Sequence, residues 1–166
     1  MAEPSATRPY MPGYGIAPAG ESTGLLPWSW AETRLRDSHH YWVATVTPAS
    51  RPHLMPVWAA WTGDALWFSS SLGSAKARNV AAGSAVSVST DDPYEPVVLE
   101  GPAEIVTDLD GIRTFLDSVN TKYKTTYGMD MLDPASSASI RVRPRKVFGM
   151  LEKDFSGSPT RWVFPA

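Results

Sequence analysis

The 166-residue sequence contains no cysteine. That excludes a disulfide framework, a thiolate metal site and a cysteine nucleophile. Basic residues are not in excess either, since 15 Lys and Arg against 17 Asp and Glu give a formal net charge of −2. Gripping a phosphate backbone takes a broad basic face, so nucleic acid is excluded as the main partner. Long apolar runs are missing as well. No stretch nears the roughly 20 residues needed to cross a bilayer, and the first residues do not lead from a charged segment into an apolar one. A cytoplasmic protein with no membrane partner is the expectation. Only three histidines are present, and adjacent His39 and His40 on an extended segment point opposite ways and make a poor pair of metal ligands. No metal is expected.

What the sequence does have in quantity is tryptophan. Five of its seven Trp, namely Trp28, Trp30, Trp42, Trp58 and Trp61, fall in one short span. Such rings can line a flat-ligand pocket, but they also fill cores, and core packing is the expected use of most of them. Residues 1–27 are rich in Pro and Gly with little aliphatic periodicity, which predicts an extended or mobile arm, or one ordered against a partner subunit. Residues 28–166 are the expected domain. It opens where Ser29-Trp30-Ala31-Glu32 fits a capping box, predicting a short helix to about Ser38.

Residues 41–47 alternate with both faces largely apolar, the pattern of a central or barrel strand. Residues 53–62 form the next strand, and Pro56 within it must lie at an edge, at a bulge or facing a ligand, because it cannot donate to a ladder. Gly63-Asp64 makes a hairpin turn into a strand over 65–71. Further strands are predicted over 85–90, 97–107 and 140–153, with a short tail at 160–164. Gly101-Pro102 marks a kink in the second of these. Between them Asp108 caps a helix whose apolar stripe is Leu109, Ile112, Phe115, Leu116, Val119, Tyr123 and Tyr127, ending at Gly128. Six or seven hairpin-linked antiparallel strands with a helix across each end describe a mainly β closed or split barrel.

The stretch after the third strand carries the chemistry. Ser69, Ser70 and Ser71 run into a helix starting Ser74-Ala75-Lys76-Ala77-Arg78-Asn79. Unpaired N–H groups at a helix start attract an anion, and Lys76 and Arg78 add full charges that would otherwise oppose the dipole there. Asn79 and the serines add neutral donors. The same spacing also suits a solvated first turn with Ser74 as a simple cap, so the alternatives are a phosphate site and an ordinary exposed helix.

Four blocks in order resemble a known family: Trp42-Val43-Ala44-Thr45-Val46, Arg51-Pro52-His53-Leu54-Met55-Pro56-Val57-Trp58, Leu66-Trp67-Phe68-Ser69-Ser70 and Lys76-Ala77-Arg78-Asn79-Val80. They are similar to the pyridoxamine 5'-phosphate oxidase-like split-barrel flavin and deazaflavin oxidoreductases, nearest to the actinobacterial branch using coenzyme F-420. The resemblance spans residues 29–164. It implies a split β-barrel of the FMN-binding type and a homodimer with cofactor sites between subunits. It places the cofactor phosphate on Lys76, Arg78 and Asn79 with help from Ser69, Ser70 and Ser71. It lays the ring along His53, Pro56, Val57 and Trp58, and brings Arg161 and Trp162 from the opposite chain.

The implied activity is hydride transfer from reduced coenzyme F-420 to a small conjugated acceptor. The cofactor carries the hard chemistry, so no triad is expected, and His53, Tyr94 or solvent supplies the proton. Alternatives are an FMN-dependent oxidoreductase of the same fold, or a non-catalytic module binding a flavin or haem. The polyglutamate tail of coenzyme F-420 calls for extra cations, for which Arg51, Arg141, Arg143, Arg145 and Lys146 are available.

Overall fold

The computed structural model describes residues 3–165. Among them eleven strands and three α-helices follow in the order β1 (Ser5–Thr7), α1 (Trp28–Asp37), β2 (Tyr41–Val46), β3 (Pro52–Val57), β4 (Ala59–Thr62), β5 (Ala65–Ser71), α2 (Ala75–Ala81), β6 (Val86–Thr90), β7 (Val97–Gly101), β8 (Ala103–Val106), α3 (Leu109–Tyr123), β9 (Ser137–Val142), β10 (Lys146–Gly149) and β11 (Thr160–Val163). Every pairing is antiparallel. The strands form a seven-stranded sheet in the order β1-β11-β10-β7-β6-β2-β3 and a four-stranded sheet in the order β4-β5-β9-β8. This is a mainly β split barrel, as the sequence predicts, with more and shorter strands.

The extra strands have one cause. Each of the three longest predicted strands leaves one sheet and joins the other midway. Residues 53–62 break at Trp58 into β3 and β4, residues 97–107 break at Pro102 into β7 and β8, and residues 140–153 break at Pro144 into β9 and β10. Gly101 shows why the second break cannot carry a side chain, since a Cβ there would lie 1.8 Å from the Arg143 carbonyl oxygen. Pro102 and Pro144 lack the N–H that would continue either ladder.

Burial follows from this geometry. In β2 only Tyr41, Val43 and Thr45 are buried, facing the barrel interior with Leu35, Phe68, Leu99, Ile140 and Trp162. The other face of β2 is not covered in this chain. β4 and β5 are instead buried on both faces, because α3 lays Ile112, Phe115, Leu116 and Val119 across Ala60 and Trp67 on the reverse of the smaller sheet. The unbroken apolar run Ala65-Leu66-Trp67-Phe68 therefore reflects two cores meeting at one strand.

Helix ends depart from the sequence reading at two places. The capping box at Ser29 does not form: α1 begins one residue earlier behind Pro27, and Glu32 accepts from Trp61 Nε1 at 3.2 Å instead. The capping of α3 by Asp108 does form, its carboxylate accepting from Gly111 N at 2.8 Å. That helix nonetheless stops at Tyr123 rather than running to Gly128. Lys124 takes the left-handed conformation at φ 55°, and the Asn120 side chain caps the exit by bonding Tyr127 N and O. Tyr127 is consequently exposed, and Leu109, at the opposite end of α3, is exposed too, so both leave the predicted stripe.

The N-terminal arm is not free in this structure. Ser5, Ala6 and Thr7 pair with Val163, Trp162 and Arg161, so β1 is the edge strand beyond β11. Arg8 is buried, and its guanidinium donates to the carbonyls of Gly157, Pro159 (3.0 Å) and Thr23 (2.7 Å). One side chain thus ties the arm to the turn before β11. Replacing Arg8 with Ala leaves three carbonyls short of a donor, and the expected loss is about 2–4 kcal/mol. Limited proteolysis should then cut the arm at least tenfold faster, whereas cutting at the wild-type rate would show the contact to be idle.

Candidate functional site

Serine chemistry shapes the corner between β5 and α2. Ser74 caps α2, its Oγ accepting from Ala77 N at 3.1 Å, and Ser70 Oγ donates to Ser74 Oγ at 2.9 Å. Ser71 Oγ accepts from Gly73 N at 3.3 Å. These bonds hold the loop in a fixed tight bend. Arg78 folds back over it and donates from Nη1 to the Gly73 carbonyl, which brings its cation to the same corner as the three hydroxyls. Lys76 is half-buried two residues earlier, about 200° round the helix from Arg78. None of the ion pairs formed among the described residues involves Lys76 or Arg78. With only seven residues, α2 adds little dipole, so those two side chains carry the positive potential.

Asn79 behaves differently. It is buried and donates from Nδ2 to Thr45 Oγ1 at 3.0 Å, which moors α2 to β2 and leaves its amide nitrogen engaged within the protein. Thr45 in turn sits opposite His53 in the β2–β3 ladder. The cationic corner and the start of β3 are therefore joined through one buried hydrogen bond. His53 Nδ1 and Ser139 Oγ are buried with no hydrogen-bond partner. Ser139 pairs with Ser69 across β5 and β9, on the face of the smaller sheet that carries Trp67 and Val106 rather than on the face from which Ser70 reaches Ser74. Buried groups of this kind normally have a partner.

β3 forms the edge of the larger sheet. Pro52 and Pro56 have no N–H, so the pairs Val46↔Pro52 and Trp42↔Pro56 are the non-hydrogen-bonded ones. Positions 52, 54 and 56 then direct their backbone outward, and the Leu54 N–H is the one donor on that edge not removed by proline. The edge is thus closed to strand addition but keeps carbonyls and one N–H for a ligand. Val57 is half-buried against the core, and Trp58, at the crossing to the smaller sheet, stacks face to face on Tyr123 with ring centroids 4.2 Å apart. Around β3 the surface is apolar: Trp42, Val46, Leu54 and Met55 are all exposed, Leu54 at 57%.

Trp162 must be reassigned. It has no exposed surface, and it lies inside a tryptophan cluster, stacked on Trp30 at 6.3 Å and edge-on to Trp28 at 5.8 Å. A ligand on the surface of this chain does not reach it, because Trp28, Trp30 and the barrel core cover the indole. Arg161 is likewise occupied, donating from Nε to Thr7 Oγ1 of the arm at 3.2 Å. The structure thus gathers Ser70, Ser71 and Arg78 at the corner, while Lys76 leaves the same short helix on its other side. His53, Pro56, Val57 and Trp58 lie along the adjoining edge, and Trp162 is removed from the set. Thr45, which links the two parts, carries no motif that marks it in the sequence.

The cations suited to a polyanionic tail are partly taken. Glu104 accepts from Arg141 Nε at 2.9 Å and Nη2 at 2.7 Å and also from Arg143, and these guanidinium bonds hold its carboxyl below the usual range. Lys146 pairs with Glu100 at 2.6 Å. Arg51 is exposed at the β2–β3 turn, with no ion pair among the described residues. No group of three His, Cys, Asp or Glu among the described residues is placed to hold a metal ion. No helix among them is long and apolar enough to cross a membrane.

Residues 31–151 match the family model for pyridoxamine 5'-phosphate oxidase. Among solved structures, an F420 reductase is 31% identical, with 70% of this chain and 94% of that one aligned at a TM-score of 0.57. A conserved hypothetical protein from Mycobacterium tuberculosis is 21% identical over 88% of this chain and 93% of its own, at a TM-score of 0.67. An FAD-binding protein from Mesorhizobium loti is 20% identical over 84% of this chain and 96% of its own, at 0.58. No curated protein matches the chain. The chain belongs to the pyridoxamine 5'-phosphate oxidase-like family of flavin-binding oxidoreductases.

Proposed function

We propose that this protein is an oxidoreductase that uses reduced coenzyme F-420 to pass a hydride to a small conjugated acceptor. The observation that carries the reading is the corner itself: Arg78 and a run of serines, with Lys76 on the same short helix and neither cation ion-paired among the described residues, are joined through Asn79 and Thr45 to an edge strand whose outward donors are reduced to one by proline. The likeness to an F420 reductase supports the choice of deazaflavin. When bound, the cofactor supplies the hydride.

This chain's part is to bind, orient and exclude water. Lys76, Arg78, Ser70 and Ser71 hold the phosphate, and the Leu54 N–H and the β3 carbonyls face the polar rim of the ring. Trp58, braced on Tyr123, closes the far end of the strand. His53, with a ring nitrogen that has no protein partner, is the residue of this site best placed to hold a proton. A second copy of the chain covers the apolar surface around Trp42, Val46, Leu54 and Met55 and completes the site from the other side, giving a homodimer.

One observation favours FMN instead. Arg141, Arg143 and Lys146 are already paired with acids, which leaves Arg51 and Arg145 as cations for a polyglutamate tail. Salt separates the two readings. Affinity for coenzyme F-420 is expected to fall more steeply than that for FMN between low and high ionic strength, because a tail of exposed charges is screened and an aromatic ring is not. Equal slopes would favour FMN. The activity is tested by anaerobic mixing of reduced coenzyme F-420 with quinones, enones and nitro compounds, following reoxidation by absorbance. Reoxidation no faster than without protein, across the whole set, would contradict the proposal.

A further inference from the structure

On the reverse of the smaller sheet, α1, β4 and α3 line a separate, open-sided cavity of ≈ 770 Å³. Trp61 forms one wall, with Arg36, Asp37, Asp117, Ser118 and Lys122 around it. Lys122 is the unusual member. Its Nζ donates to the Tyr41 hydroxyl at 2.6 Å and to the Ala59 carbonyl at 3.0 Å. Tyr41 itself donates to the Leu35 carbonyl at 2.6 Å, which turns its oxygen toward the lysine as an acceptor. The rings of Tyr41 and Tyr123 lie 4.6 and 5.4 Å from Nζ. Lys122 takes part in none of the ion pairs among the described residues.

Its surroundings favour the free amine. Burial lowers the Lys122 pKa to about 8 from 10.5, and Asp37, the acid that opposes this, restores only part of it. The neighbouring phenols keep their own protons, since burial, aided by the charges of Tyr123 and Asp37, raises Tyr41 above its ordinary value, and burial raises Tyr123. A neutral amine has two hydrogens and one lone pair. Here two acceptors take the hydrogens, so the lone pair is the position on nitrogen left for a guest.

We propose that Lys122 is a carbonyl-capture site, whose amine adds to a small aldehyde entering this cavity to give an imine. The nitrogen lone pair forms the C–N bond while the carbonyl oxygen takes a proton. The hydroxyl of the resulting carbinolamine then takes a second proton from solvent and leaves as water, while the nitrogen lone pair forms the C=N bond and the nitrogen keeps its one remaining hydrogen as a protonated imine, which releases it to solvent to give the neutral imine. Nothing is oxidised or reduced, and hydrolysis reverses the step. Asp37 and Asp117 on the cavity wall are placed to relay protons, and the Ala59 carbonyl accepts from the protonated imine. The inference uses no part of the corner at β5 and α2 and shares with the reductase reading only Tyr123, which braces Trp58.

The test uses the whole chain with propanal and cyanoborohydride, which fixes the imine as a secondary amine, followed by peptide mass mapping of its five lysines. Lys124, exposed two residues on, is the internal reference. At pH 7 a pKa of about 8 against 10.5 gives roughly 300 times more free amine, of which lower basicity takes back about a factor of ten. Lys122 is therefore expected to react at least about tenfold faster than Lys124, and Lys122→Arg should abolish that label while leaving the other lysines' rates unchanged. Trace acetylation from about pH 6 to about pH 10 should level off above about pH 8 at Lys122. The groups facing Lys122 in that range are Tyr41 from β2, Tyr123 and Asp117 from α3, and Arg36 and Asp37 from α1. Labelling of Lys122 no faster than Lys124, or a rate still climbing beyond about pH 9, would overturn the proposal.

Discussion

Replacing Lys76 and Arg78 together with Ala is expected to weaken binding of coenzyme F-420 or FMN by about 100-fold or more. Charge-assisted hydrogen bonds contribute about 1.5–3 kcal/mol each, and 100-fold corresponds to about 2.7 kcal/mol, so even the low end of both contacts reaches it. The low end is the appropriate one because Arg78 is exposed and already spends one donor on the Gly73 carbonyl. Lys76→Arg should retain most of the affinity, since it keeps the charge. Arg113→Ala, an exposed cation on α3, should change nothing. Equilibrium titration monitored by ligand fluorescence reads all three variants. An unchanged dissociation constant for the double variant would remove the phosphate from this corner.

Trp162→Ala is expected to act on stability rather than on the ligand, lowering the unfolding free energy by about 3–5 kcal/mol. The indole has no exposed surface and touches Trp28 and Trp30, so its loss leaves a cavity where β10 and β11 meet α1. Gly149 shows how tightly the site is filled, since a Cβ there would come within 2.7 Å of Trp30 and 3.1 Å of Trp162. Trp162→Phe should lose less than about half as much, partly because Nε1 has no acceptor to give up. Urea unfolding gives the stabilities, and titration of the folded fraction should give wild-type affinity. A Trp162→Ala variant that kept its stability but lost the cofactor would restore this residue to the binding set.

The parts of the fold that depend on local chemistry were legible. Asp108 at the start of α3, the turn at Gly63 and the apolar stripe from Ile112 to Val119 follow from capping, positive φ and helical spacing, and the structure shows each of them. What was hidden depends on three-dimensional partners. Nothing along 97–107 or 140–153 says that a strand changes sheets, although Gly101-Pro102 and Arg143-Pro144-Arg145 mark the places where the ladders have to stop. Glu32 three residues after Ser29 is a capping pattern that the side chain abandons for Trp61 across the core.

The site divides along the same line. The serines, Lys76 and Arg78 are contiguous in sequence, and so their meeting is readable. Asn79 looks like one more donor in that run, yet helical rotation turns it inward to Thr45. Trp162 sits in a tail with a family-like ending, but the strand it belongs to is closed on both sides by β1 and β10. Arg8 and Lys122 left no trace at all in the sequence, because a long side chain whose nitrogen donates to main-chain carbonyls is recognisable only once those carbonyls have been placed.

The central claim is that the corner between β5 and α2 grips the phosphate of a flat redox cofactor whose ring runs along β3. A structure of the protein crystallised with coenzyme F-420 tests it most directly. The account predicts the phosphate within hydrogen-bonding distance of Lys76, Arg78 and Ser70, and the ring against the backbone of residues 53–57. A phosphate bound elsewhere, with Lys76 and Arg78 left in solvent, would contradict it.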